Sequence, residues 1–137
     1  MSKLTLSLDE EYDFELIGMS CHLRDYRICW SINQLLKIDL TRVDDYEVIK
    51  NNEVLTFSFY EFFEEEDGVE YYVLSNKCEK GYLIPEKQNF DYFMILKGNT
   101  EEELLQNITQ QIKSVNGVNI THQIDVNELK SKRNLIF

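Results

Sequence analysis

The sequence predicts a two-layer α+β domain, an antiparallel sheet of about five to seven strands with two helices packed mainly on one face. Three observations carry that expectation. Apolar residues alternate with polar ones in several short runs, two longer segments carry a helical period, and the strand-like runs gather mid-chain as an antiparallel meander would. The chain has 137 residues, 43% apolar and 12% aromatic, enough to build one hydrophobic core. With one proline, no Gly/Ser-rich linker and no repeat, residues 1–137 read as a single domain with an extended C-terminal tail over 127–137.

Leu4, Leu6 and Leu8 alternate with polar neighbours, and Phe14 to Ser20 forms a second strand-like run. From about Leu23 to Lys37 the period changes. At ~100° per residue, Ile28, Cys29, Ile32, Leu35 and Leu36 share one helical face. Tyr26 and Trp30 lie one turn apart on roughly the opposite side, with Arg27 and Asn33 near them. Either this second face lies under another segment, for which the tail with Leu129, Leu135, Ile136 and Phe137 is the natural roof, or it is open to a partner. Tyr, Trp and Arg are the residue types enriched in binding hot spots, so Tyr26, Arg27, Trp30 and Asn33 are the candidate partner-binding residues.

Val54 to Glu64 reads as a strand ending in the charged turn Glu64-Glu65-Glu66-Asp67-Gly68, after which Val69, Tyr71 and Val73 alternate. Tyr82-Leu83-Ile84 follows Lys80-Gly81, and Phe90, Tyr92, Met94 and Leu96 alternate again. Thr100 and Glu103 have capping-box spacing ahead of Leu104, Ile108, Ile112 and Val115 on one face, and Asn116-Gly117 stops that helix. Val118, Ile120, His122 and Ile124 form the last strand. The stretch from Phe90 to Ile124 fits half of a ferredoxin-like unit.

Chemistry-bearing patterns are sparse. Asp+Glu number 25 against 14 Lys+Arg, a net charge of −11 that repels phosphate backbones, so duplex nucleic acid is not an expected partner. Cys21-His22 could be a thiol–imidazole dyad, but adjacent strand residues point to opposite faces. Cys21, Cys29 and Cys78 lack a paired spacing, which suits reduced thiols in a cytoplasm. Two histidines with no metal-ligand spacing, acidic runs unlike a calcium loop, and no glycine-rich phosphate loop predict no metal, no cofactor and no catalytic residue. Neither a signal peptide nor an apolar run long enough to span a membrane is expected.

Ile84-Pro85-Glu86, three intervening residues, and Phe90-Asp91-Tyr92 resemble the signature of the bacterial family named IPExxxVDY, with Phe90 in place of the named Val. The resemblance extends through Leu16 to His22, Asp25-Tyr26-Arg27 and Trp30, and again over Leu129 to Leu135. It brings no activity with it. Members are often encoded near ribonuclease III and pyruvate kinase, which implies a housekeeping setting. Physically, Pro85 should end a strand or sit on an edge, and Glu86 should accept backbone hydrogen bonds. The expected function is a cytoplasmic, non-enzymatic protein-binding adaptor or regulator, with a homodimer also compatible. The competing expectations are a small-molecule-sensing ferredoxin-like domain and an accessory factor in RNA processing.

Overall fold

The computed structural model describes residues 12–137. The run Leu4 to Leu8 and the acidic Asp9-Glu10-Glu11 lie outside them. In chain order the elements are β1 (Glu15–Cys21), α1 (Asp25–Leu36), β2 (Thr41–Arg42), β3 (Tyr46–Lys50), β4 (Glu53–Phe57), β5 (Phe59–Glu64), β6 (Val69–Ser75), β7 (Lys77–Cys78), β8 (Gly81–Tyr82), β9 (Tyr92–Gly98), α2 (Glu102–Lys113) and β10 (Val118–Ile124). Six strands form one antiparallel sheet in the order β10-β1-β9-β6-β5-β2, while β3 pairs with β4 and β7 with β8. The fold is α+β.

Within that sheet β1-α1-β6-β9-α2-β10 is a complete β-α-β-β-α-β unit, so the ferredoxin-like portion exceeds the half that Phe90 to Ile124 suggested. Strands β2 to β5 are inserted between α1 and β6. Both helices cover one face. Ile28, Cys29 and Ile32 of α1 meet Leu105, Ile108 and Ile112 of α2 over Ile17, Met19, Val73, Met94 and neighbours.

The opposite face is covered too, which corrects the two-layer expectation. Leu16, Leu74, Phe93 and Ile95 of the sheet pack beneath Leu55 and Phe57 of β4, the loop residues Leu83 and Ile84, and Val126, Leu129 and Leu135 of the tail. Every residue from Tyr92 to Leu96 is therefore buried, as a strand covered on both faces must be. The interior strand β1, next to the edge strand β10, meets the same demand with Gly18. A Cβ there would come within 2.8 Å of the Ile124 and Phe90 side chains, so only glycine lets that layer close.

Local readings shift accordingly. The run Val54 to Glu64 is two strands in two sheets, broken at Ser58. The hairpin turn of β3 and β4 is Asn51-Asn52, both at positive φ, the geometry that matches strand twist. Leu83 and Ile84 are buried in a loop and belong to no strand. Phe90 precedes β9 and packs 6.1 Å from Phe93, on the face opposite Tyr92, because strand alternation begins only at Tyr92. Helix α2 has Glu101 as its N-cap with no side-chain cap bond, so the Thr100–Glu103 capping box does not form. Helix α1 ends on Lys37 in the left-handed conformation, a residue later than its last helical turn.

Candidate functional site

Helix α1 shows why its two faces differ. Asp25 sits in the first turn, where a carboxylate complements the helix dipole, and Ile28, Cys29 and Ile32 fall at the spacing that faces the sheet. Burial, followed by the nearby Asp25 carboxylate, pushes the Cys29 thiol well above its ordinary range, so it packs as a small apolar group. On the outer face Tyr26 is 63% exposed and Trp30 53% exposed. The Arg27 guanidinium lies 5.2 Å from the centre of the Trp30 ring, a cation–π contact that holds both side chains against the helix. Asp25 also pairs at 3.2 Å with Arg42, which reaches Asp45 at 2.8 Å, bracing the start of the helix against β2.

The tail does not roof this face. It packs on the domain, but across the sheet, with Phe137 stacked 5.5 Å from Tyr46 and tilted against Tyr72 at 4.8 Å. The cause is the aromatic floor that β3, β4, β5 and β6 present there, since apolar chain ends bury best where a large apolar area is still open. Asn33 also departs from expectation. Its amide donates to the Leu40 carbonyl at 3.2 Å and accepts from the Leu40 N–H at 2.8 Å, closing the loop after α1. Tyr26, Arg27 and Trp30 form the open patch; Asn33 holds the chain beneath it.

The signature residues gather elsewhere, each with a bonding role. Pro85 opens a short 3-10 turn over Pro85–Lys87, and the Ile84 side chain is buried. Glu86 accepts from the Ser131 N–H at 2.7 Å and the Ser131 hydroxyl at 2.8 Å, fastening the tail to the loop. Partial burial works against its charge, but the Ser131 donors and the Glu86 and Lys130 amides prevail and hold its carboxyl below the usual range. A carboxyl lowered on folding contributes stability above its unfolded value, and that contribution is lost as pH falls through the folded one. The melting-temperature gap between wild type and Glu86→Gln should therefore be widest near neutrality and close in acid. A gap that stays constant across a pH series would show that the carboxylate does not fasten the tail.

Asp91 and Tyr92 clamp the β1–α1 junction. One Asp91 oxygen accepts from the Cys21 N–H at 2.8 Å, the other pairs with Lys77 at 2.8 Å, and the Tyr92 hydroxyl donates to the Leu23 carbonyl at 2.7 Å. Sequence reasoning missed the hub of this region, Asn76. Its side chain accepts from the Ile84 N–H and donates to the carbonyls of Lys87 and Phe90, while its backbone bonds Leu83 and Asp91. The signal was one amide side chain just after an apolar strand, and only the fold shows how many backbone groups surround it.

Beside the clamp is an open cleft of about 520 Å³ lined by Cys21, His22, Arg24, Lys77 and Cys78 among others. Burial raises the Cys21 thiol, a hydrogen bond with the Leu23 backbone partly opposes this, and Asp91 adds to the rise. The thiol form is thereby favoured, which makes Cys21 a poor nucleophile. Among the described residues no cluster of His, Cys, Asp or Glu is arranged to hold a metal ion, and no helix is long and apolar enough to cross a membrane. In comparison with known proteins, no family model matches the chain and no curated protein matches it.

Proposed function

We propose that this chain is a non-enzymatic protein-binding module, an adaptor or regulator in a reducing cytoplasm, which recognises its partner with the outer face of α1. The observation that carries the reading is the open Trp30–Tyr26 pair with Arg27 stacked on the indole. Arg24 and Lys37, which cap the two ends of the same helix, are also exposed, while the nearby Asp25 carboxylate is engaged by Arg42. On a chain of net charge −11 this basic, aromatic strip suits a partner that offers acidic side chains around an apolar one. The three free thiols Cys21, Cys29 and Cys78 support the reducing compartment. The signature residues support membership of the IPExxxVDY family, and their bonding supports a role in fixing the loop, the tail and the start of α1.

Immobilised wild type should capture a stoichiometric protein from native lysate that Trp30→Ala and Tyr26→Ala/Arg27→Ala both lose. A control change in the acidic turn, Glu66→Ala, should leave capture intact. Because Trp30 is largely solvated, Trp30→Ala should alter stability by only about 0.5 kcal/mol. Capture of the same proteins by all four would sink the reading. The cleft near Cys21 favours a second reading, a small-molecule-sensing regulatory domain. A metabolite that co-purifies with wild type and is lost from Lys77→Ala would favour it over the first.

A further inference from the structure

Between α2 and β10 the chain turns through Ser114-Val115-Asn116-Gly117, closed by a hydrogen bond from the Val118 N–H to the Val115 carbonyl at 3.0 Å. Helix α2 ends at Lys113, so Asn116-Gly117 stands beyond the helix, in irregular chain. It is the one place in the sequence where glycine follows asparagine. Both residues are exposed. Among the described residues, neither the Asn116 side-chain amide nor the Gly117 N–H has a hydrogen-bond partner.

The fold demands this glycine. Its φ of +104° lies in the left-handed region, and a Cβ added there would come within 3.1 Å of the Leu23 side chain. Other asparagines are held differently. The amides of Asn33, Asn76, Asn99 and Asn134 donate to backbone carbonyls, and a residue with a side chain follows each of them.

We infer that Asn116 is a self-modifying site, at which the chain deamidates through a cyclic imide. The Gly117 backbone nitrogen attacks the Asn116 side-chain carbonyl carbon, Cγ. A C–N bond forms to close the ring, the bond from Cγ to the side-chain nitrogen breaks, and ammonia leaves with the proton that Gly117 gives up. Water then opens the ring at either carbonyl. One opening leaves aspartate; the other leaves isoaspartate, in which the main chain runs through the side-chain methylene. Glycine favours the attack because no Cβ hinders the approach of its nitrogen. Exposure of both residues supplies the water that the second step consumes.

The isoaspartyl form adds one carbon to the backbone between α2 and β10. That extra length falls where Val118 bonds back to Val115 and where Gly117 abuts Leu23, whose carbonyl accepts from Tyr92. Either product also sets a new carboxylate just past the C-terminus of α2, where the helix dipole favours a cation, on a chain already at −11. Deamidation therefore loosens the joint that sets β10 against β1. This chemistry goes beyond the partner-binding reading and does not depend on the α1 patch.

Ageing the full chain at physiological temperature, in neutral and in mildly alkaline buffer, tests this. Peptide mapping by mass spectrometry should find Asn116 converted before any other asparagine, as two products of equal mass that chromatography separates. The rate should rise with pH, because the Gly117 nitrogen attacks once it has lost its proton. Aged wild type should unfold at lower denaturant than fresh protein, while Asn116→Gln aged alongside should keep both its mass and its midpoint. An Asn116 that stays intact in the folded chain would overturn the proposal, and conversion in denaturant alone would show that the fold withholds the reactive geometry. Aspartate without isoaspartate, or a rate indifferent to pH, would mean direct hydrolysis with no ring. Identical unfolding of aged and fresh wild type, with Asn116 converted, would refute the loosened joint.

Discussion

Leu135→Ala is expected to lower stability by about 2–5 kcal/mol while leaving the native-state emission of Trp30 at its solvent-exposed wavelength. Leu135 is 1% exposed, within the cluster that joins the tail to Leu83, Ile84 and Phe93. Removing its isobutyl group loses the transfer free energy of those atoms and opens a cavity that close packing fills only in part. The tail is also fixed by polar contacts that resist collapse into that space, since Asn134 donates to the Leu83 carbonyl at 2.7 Å and Ile136 N–H donates to the Tyr46 hydroxyl at 3.0 Å. Denaturant unfolding measures the loss, and the emission maximum of the native state reports on the other face. A red shift on mutation would put the tail over α1 after all. A loss below about 1 kcal/mol would mean that the tail does not belong to the core.

Asn76→Ala should be at least as damaging. The Asn76 side chain is fully buried, and truncation leaves the Ile84 N–H and the Phe90 carbonyl unsatisfied, while the Lys87 carbonyl keeps only its bond from the Phe90 N–H. Each unsatisfied buried group costs about 1–3 kcal/mol, so the expected loss exceeds about 3 kcal/mol even with partial relaxation. Asn76→Asp separates hydrogen bonding from volume. Its carboxylate still accepts from Ile84 but has nothing to donate to the two carbonyls, so it should destabilise as strongly as alanine at neutral pH. In Asn76→Ala, which loses the acceptor as well, hydrogen exchange should quicken at Ile84 and, through Asp91, at Cys21. If Asn76→Asp were as stable as wild type, the two donated bonds would carry no weight.

What the sequence makes legible follows from period. The inner stripe of α1 and its open aromatic side are both readable at ~100° per residue, because a helix fixes the relative direction of every side chain it carries. Strand β6 and the acidic turn before it are readable for the same reason at period two. The tail has no period. Leu129, Leu135 and Phe137 are apolar residues in irregular chain, and any apolar surface would suit them until the fold shows which one is open. The third layer left one trace, the unbroken run Tyr92 to Leu96, which a sheet with a solvated face would interrupt. Asn33 and Asn76 are harder still. An amide is equally at home in water and in a cage of backbone groups, and its fate depends on segments that arrive from elsewhere in the chain.

The place of β1 in the sheet has a consequence for the time course of folding. Leu16 pairs with Ile95 on one side and Ile124 on the other, so the first strand among the described residues is completed by the last two of the sheet. Loop closure over such distances costs chain entropy before any contact rewards it, which sets this topology among the slow folders of its size. Until β9 and β10 arrive, the Leu-Ile-Gly-Met stretch of β1 is an apolar strand with both edges open, the kind of surface that chaperones bind and that aggregates capture. Mutations that hasten the docking of β9 should therefore raise soluble yield more than their effect on equilibrium stability would suggest.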